Sequence, residues 1–246
     1  ERNCEVKESA ENLDFGKKIT GGRGPEGGPP RKLPDGINFY YTEKEILHLQ
    51  NGSNISLYDK NLVEVYPNTK IDGMMQDEKY FVKYKDEIKA QFSDGIIPNG
   101  IDRVAIHRRI GKNPINPDEL SYSENPFYFQ LGHHLHQDLK DNYFMKAMEL
   151  FPSDTKYTLF SDDIEQVKKE PMFQGDKFEF SEGRNEVEDM NYMASHKGII
   201  GSNSSYSFWA SYLSGITGDK IIFPKRWFAN PEHEKYIGIP PEWRRI

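Results

Sequence analysis

Polar residues that could bind an anion follow three apolar segments of the chain. They are His107-Arg108-Arg109, Ser161-Asp162-Asp163 and the serine-rich stretch 202–205. Each cluster alone has an ordinary explanation, because arginines are often surface charge and Ser or Asp residues often cap helices. If the apolar segments are neighbouring parallel strands, however, their carboxyl ends meet at one edge of a sheet. A cation, two acids and a hydroxyl-rich helix N-terminus would together bind a nucleotide diphosphate there.

The elements that would position these clusters alternate between strand and helix patterns from residue 101 onward. Strand patterns include RVAIHRR, KYTLFSDD and KGIIGS, with DKIIFP expected as the last strand, and helix patterns include DNYFMKAMELF and SYSFWASYLSG. This alternation predicts an α/β fold with a doubly wound parallel sheet. The stretch 77–92 has apolar residues at helical spacing and predicts a helix. We expect an abbreviated N-terminal domain over 1–94, with a Gly/Pro-rich loop at 21–36, and a nucleotide-binding domain over 95–246.

Composition limits the class of protein. The chain has 246 residues, 36% of them apolar, and a net charge of −7, which argues against nucleic acid as a partner. No apolar stretch is long enough to cross a membrane. The lone Cys4 suits a reducing compartment, so we expect a cytoplasmic protein, or a membrane-associated or lumenal one if an N-terminal anchor has been trimmed. The sequence does not predict an oligomeric state.

Several phrases resemble a known enzyme family. YTLFSDDIEQVKKE, NSSYSFWASYLSG and PKRWF are similar to the C-terminal half of the family 11 glycosyltransferases, the α-1,2-fucosyltransferases, and the resemblance extends over roughly residues 62–246. The superfamily's first motif is His-x-Arg-Arg-Gly-Asp. Here His107 and Arg109 match it, but Ile110 and Lys112 replace the second arginine and the acid. His-x-Arg-Ile-Gly also resembles the version found in protein O-fucosyltransferases.

The resemblance implies a GT-B-like fold and an inverting transfer of fucose from GDP-fucose to a glycan hydroxyl. The implied partners are a nucleotide sugar and a glycan acceptor, with no cofactor and no divalent metal. Two alternatives stay open. The enzyme could use another nucleotide sugar, because Lys112 replaces the motif acid, or the chain could be a catalytically weak glycan- or nucleotide-binding relative.

Arg109 is the expected phosphate clamp, because a guanidinium binds two phosphate oxygens and stays charged as the leaving diphosphate gains charge. His107 would orient the donor or the clamp, whereas Arg108 should point to the opposite face as ordinary surface charge.

The other expected donor-binding residues are Gly111, Ser161, Asp162, Asp163, Asp189, Asn203, Ser204, Ser205 and Tyr206. Asp189 is included because its spacing matches an acid that superfamily members use on the nucleoside, and a solvated helix acid is the competing interpretation. His136 and Asp138 are weaker acceptor-site candidates, and the histidines at 133, 134 and 136 are expected to form a loop rather than a zinc site.

Overall fold

The computed structural model describes residues 77–110, 141–228 and 230–246, together with residues 39–42, 46–48, 54–60, 69–72, 75 and 139. The expected Gly/Pro-rich loop at 21–36 and the candidate residues Gly111, His136 and Asp138 lie outside the described residues, as do the other two histidines of the 133–136 cluster. Among the described residues no helix has the length and apolarity needed to cross a membrane.

The described residues of the N-terminal part form four short strands and one helix. Strands β1 (Phe39–Thr42) and β4 (Thr69–Asp72) pair in parallel, and β2 (Ile46–His48) pairs antiparallel with β3 (Asn54–Ser56). Two short 3₁₀ turns then lead into helix α1 (Lys85–Phe92). The expected helix over 77–92 is therefore regular only in its second half. Phe81, whose φ is −133°, separates the two turns and places its ring 5.0 Å from that of Trp209.

A six-stranded parallel sheet forms the main body. Its strands are β5 (Ile101–His107), β6 (Tyr157–Phe160), β7 (Phe178–Phe180), β8 (His196–Ile200), β9 (Ile221–Phe223) and β10 (Arg244–Arg245). Their spatial order is β7-β6-β5-β8-β9-β10, and every pairing is parallel. The first strand of this series thus lies in the middle, as in dinucleotide-binding folds, and the order reverses between β5 and β8.

Helices cover both faces of this sheet, which confirms the predicted α/β architecture. They are α2 (Asp141–Met148), α3 (Ile164–Val167), α4 (Glu186–Ala194) and α5 (Ser205–Leu213). Val104 and Ile106 of β5 pack with α2 in one buried cluster. Ala105, between them, packs with α4 and α5 in another. This alternation follows from the pleat of the strand, and it sends the side chain of His107 toward α5.

Aromatic residues join α5 to the last strands and to the N-terminal segment. Phe208 and Tyr212 of α5 lie in a buried cluster with Phe223, Trp227 and Trp243. The 77–92 segment packs on this cluster, with the Phe81 ring 5.3 Å from that of Tyr212. The proposed domain boundary after residue 94 stays a prediction.

The sequence-based assignment of DKIIFP as the last strand was wrong. The sixth strand, β10, consists of two exposed arginines and so carries no apolar alternation. Backbone bonds specify it instead, since Ile246 N donates to Phe223 O at 3.1 Å and Lys225 N donates to Ile246 O at 2.6 Å.

Gly201, the first residue after β8, has no room for a side chain. A Cβ there would lie 2.7 and 2.8 Å from two carbons of the Phe223 ring. We expect Gly201→Ala to lower the free energy of unfolding by about 1–3 kcal/mol, the usual cost of overpacking. Chemical denaturation measures this, with the exposed Lys169→Ala as the matched control. Equal unfolding free energies for wild type and Gly201→Ala would contradict this packing.

Candidate functional site

The carboxyl ends of β5 and β8 are joined by one serine at the point where the strand order reverses. The buried Ser202 hydroxyl donates to the carbonyl oxygen of His107 and accepts a bond of 3.2 Å from the Arg109 amide. The first motif and the serine-rich stretch, far apart in sequence, are therefore in contact, as the sequence predicted for strand ends sharing one edge. Ser202 itself was not among the selected site residues. Its position as the first hydroxyl after an apolar strand was the available signal.

A carboxylate from the next strand holds the other side of the same segment. Asp162, which follows β6, accepts a hydrogen bond of 2.9 Å from the amide of Ile110 through Oδ1. Its Oδ2 lies 3.1 Å from Nη1 of Arg109. The Arg109 side chain is 48% exposed and the Asp162 side chain 19%. Asp162 is thus the more enclosed partner, and about half of the Arg109 side chain is open to solvent.

Arg108 points to the opposite face, as alternation requires, but it is not ordinary surface charge. Its Nε lies 3.1 and 3.2 Å from the two carboxylate oxygens of Glu170. Its Nη1 donates to Leu139 O at 3.2 Å, and its guanidinium lies 5.3 Å from the Phe144 ring centre. Only 18% of this side chain is exposed. The expectation of a surface cation was wrong because Glu170, 62 residues away, supplies a partner that local sequence does not reveal.

His107 is a buried, uncharged histidine at the centre of the cluster. Its ring centre lies 5.5 Å from that of Tyr206, and its Nδ1 has no hydrogen-bond partner among the described residues. Burial lowers the pKa of His107 from 6.5 to about 4, against a smaller raising effect of Asp162 and with a lowering effect of Arg109. His107 is therefore neutral at physiological pH, and Arg109 carries the positive charge of this pair.

The N-terminus of α5 faces the same strand ends. Ser204 caps the helix, its hydroxyl accepting from the Tyr206 amide at 3.3 Å, and Ser205 is exposed. Asn203 donates to Trp227 O at 3.0 Å, which fastens this turn to the loop after β9. The first amides of a helix have no partners within the helix and carry partial positive charge. Together with the Arg109 guanidinium they make this edge suitable for an anion.

Ser161 and Asp163 make local bonds. The Ser161 hydroxyl accepts from the Asp163 amide at 3.0 Å, and Asp163 caps α3 by accepting from the Gln166 amide at 3.3 Å. Within this cluster it is Asp162 that contacts the first motif, through Ile110 and Arg109.

Asp189 is a half-buried carboxylate rather than a solvated helix acid. It accepts a hydrogen bond from Ser181, the residue after β7. Burial raises the pKa of Asp189, with Ser181 and Arg184 acting in the opposite direction. Tyr206, at the start of α5, donates to Glu186 O at 2.7 Å and so contacts the start of α4, the helix that carries Asp189. Burial and the charge of Asp189 raise the pKa of Tyr206. Ser181 was not predicted as a site residue, although it also directly follows a strand.

The described residues include no group of three or more His, Cys, Asp or Glu side chains that could hold a metal ion.

The strand order is that of a Rossmann-like α/β protein, with polar groups gathered at its reversal point. Comparison with known proteins indicates which family the chain resembles. Residues 134–246 match the model of glycosyl transferase family 11. The chain is 25% identical over 190 residues to an alpha-1,2-colitosyltransferase from Escherichia coli, covering 71% of this chain and 61% of that relative. Residues 134–246 are thus similar to glycosyl transferase family 11, which confirms the expected resemblance. No solved structure matches the chain significantly.

The depressed pKa of His107 makes stability depend on pH. Because the folded pKa is about 4 and the ordinary value is 6.5, the unfolded chain takes up a proton in this window that the folded chain does not. The stability is therefore fully present above pH 6.5 and is lost as pH falls toward 4. His107→Phe keeps a ring against Tyr206 and removes this proton, so its unfolding free energy should fall roughly 2 kcal/mol less between pH 7 and 4.5. Denaturant titrations at both pH values measure this. His196, whose pKa burial also lowers to about 4, titrates in both proteins, so parallel pH profiles would contradict a neutral buried His107.

Proposed function

We propose that this chain is part of an inverting glycosyltransferase that moves fucose from GDP-fucose to a glycan hydroxyl. The observation that carries the proposal is the half-exposed Arg109 side chain at the strand-order reversal. The backbone amide of Arg109 bonds to Ser202, just before the N-terminus of α5. The match to the family 11 model supports sugar transfer as the reaction class. The chain spans 61% of the length of the E. coli relative, so the activity is proposed for the whole protein. We propose a GT-B-like arrangement, with 95–246 as the donor side and 1–94 as the acceptor side.

Arg109 would act on the leaving diphosphate. When the bond between sugar and phosphate breaks, negative charge grows on the β-phosphate and positive charge on the anomeric carbon. A fixed guanidinium at that phosphate stabilises the transition state more than the bound donor, which raises the rate rather than only the affinity. The amides at the start of α5 and the hydroxyls of Ser204 and Ser205 would bind the same phosphates.

The remaining groups divide between orienting and recognition. Neutral His107, with its unpartnered Nδ1, would accept or donate one hydrogen bond to the donor without adding charge. Asp189 would contact the nucleoside from α4. Tyr206 would contact the donor between His107 and Asp189. No divalent metal is needed in this scheme, because the guanidinium and the helix amides supply the positive charge.

A second donor is favoured by one specific observation. The name of the E. coli relative specifies colitosyl transfer in an α-1,2 linkage. The fucose and colitose nucleotides are therefore the two donors to compare first. A nucleotide-binding relative with little activity would bind one of them without transferring its sugar.

Nucleotide choice tests the proposed class directly. GDP and GDP-fucose should raise the melting temperature at concentrations where UDP and ADP do not, because a ligand that binds the folded state stabilises it by mass action. The same shift should persist in EDTA. A panel in which no nucleotide shifts the melting temperature, or in which the shift needs manganese or magnesium, would contradict the proposal.

The proposed role of Arg109 is tested by measuring the rate of sugar transfer in variants of this residue. Arg109→Ala and Arg109→Lys should each reduce single-turnover transfer by about a hundred-fold or more, the scale for one preorganised transition-state donor. Lysine should fail because one ammonium cannot make the two-pronged contact of a guanidinium. Lys197, a partly exposed cation paired with Asp102 at the other end of the sheet, gives the control Lys197→Ala. Near-normal rates in both Arg109 variants would rule out its proposed role.

A further inference from the structure

One carboxylate controls two parts of the first motif at once. Asp162 Oδ1 holds the amide of Ile110 at 2.9 Å, and Oδ2 pairs with the Arg109 side chain at 3.1 Å. The two contacts come from the two oxygens of one side chain, so the backbone and the guanidinium are fixed relative to each other. The acid is anchored on β6, a different strand from the one that carries Arg109.

The difference in exposure between Asp162 and Arg109 indicates which of the two side chains can contact a ligand. The Asp162 side chain is 19% exposed and that of Arg109 is 48% exposed. A guanidinium has five N–H donors in a rigid fork. The Asp162 contact uses one terminal nitrogen, Nη1. The geometry therefore places the carboxylate at the side of the cation and leaves donors of the fork for another group.

Charge argues against Asp162 as a direct ligand of the donor's phosphates. A carboxylate in contact with a diphosphate would repel it, whereas a carboxylate paired with Arg109 holds the cation in place. The sequence-based expectation placed Asp162 in direct contact with the donor. The observed bonds of Asp162 favour a contact through Arg109 instead.

We propose that Asp162 is a positioning residue, which fixes the Arg109 guanidinium for the leaving diphosphate and acts on the reaction only through Arg109. This inference rests on the proposed transferase function. It predicts that the loss of Asp162 lowers turnover but leaves nucleotide binding nearly unchanged. Without Asp162 the guanidinium is still present and still attracts the nucleotide, but it no longer has a fixed direction when charge develops.

Asp162→Asn is the sharpest test. Asparagine keeps an oxygen acceptor for the Ile110 amide and removes the charge that pairs with Arg109. The kcat for transfer should fall about tenfold or more, since the preorganised contact is weakened but not removed. The Kd for GDP should stay within about threefold of wild type, or become tighter because a negative charge is gone.

Glu170→Gln is the matched control, because it removes one carboxylate from the neighbouring Arg108 on the opposite face. It should leave kcat within about twofold of wild type. The melting temperatures of both variants are measured alongside. If Asp162→Asn does not fold, Asp162→Ser, which also retains an oxygen acceptor, takes its place in every comparison.

A double-mutant cycle separates positioning from direct contact. In an Arg109→Ala background, Asp162→Asn should cause almost no further loss of kcat, because its effect passes through Arg109. Losses that multiply independently, or a Kd for GDP weakened about tenfold or more, would overturn the inference and make Asp162 a donor ligand. A wild-type protein that neither binds GDP nor transfers sugar would refute the proposed function instead, so the two failures are distinguishable.

Discussion

The candidate site depends on the way the ends of two neighbouring strands, β6 and β8, hold the short segment that follows β5. The amides of Arg108, Arg109 and Ile110 donate in turn to Phe160 O at 2.8 Å, Ser202 Oγ at 3.2 Å and Asp162 Oδ1 at 2.9 Å. The strand β5 has ended, but its continuation is still fastened to β6 on one side and β8 on the other. Such bonds restrict the backbone from which the Arg109 side chain projects, and preorganisation of this kind is what electrostatic catalysis requires.

The charge distribution follows from the same arrangement. The chain carries a net charge of −7, so an anionic donor would be attracted locally rather than by the protein as a whole. Burial keeps His107 neutral, and Glu170 neutralises Arg108 on the other face. Arg109 and the first amides of α5 therefore present positive charge at the reversal point between β5 and β8.

Sequence alone predicted much of the fold because the strands of a parallel sheet are continuous apolar segments, and the polar residues that follow them share one edge. Ion pairs between side chains that lie far apart in the sequence were not predictable in the same way. The partners Arg108 and Glu170 lie on different elements, and nothing in their local patterns marks them. Strand β10 was missed because main-chain bonds specify it and its two arginines show no alternation. Ser202 was within reach, as the first hydroxyl after β8, but a serine there is also typical of a helix cap.

The most direct test of this account is an experimental structure with GDP bound. We predict that the diphosphate lies at the reversal point between β5 and β8. Its oxygens should be about 2.7–2.9 Å from the Arg109 guanidinium, with the first amides of α5 contacting the same phosphates. Asp162 should still be paired with Arg109 in that complex. A diphosphate bound away from both Arg109 and the N-terminus of α5 would contradict the account.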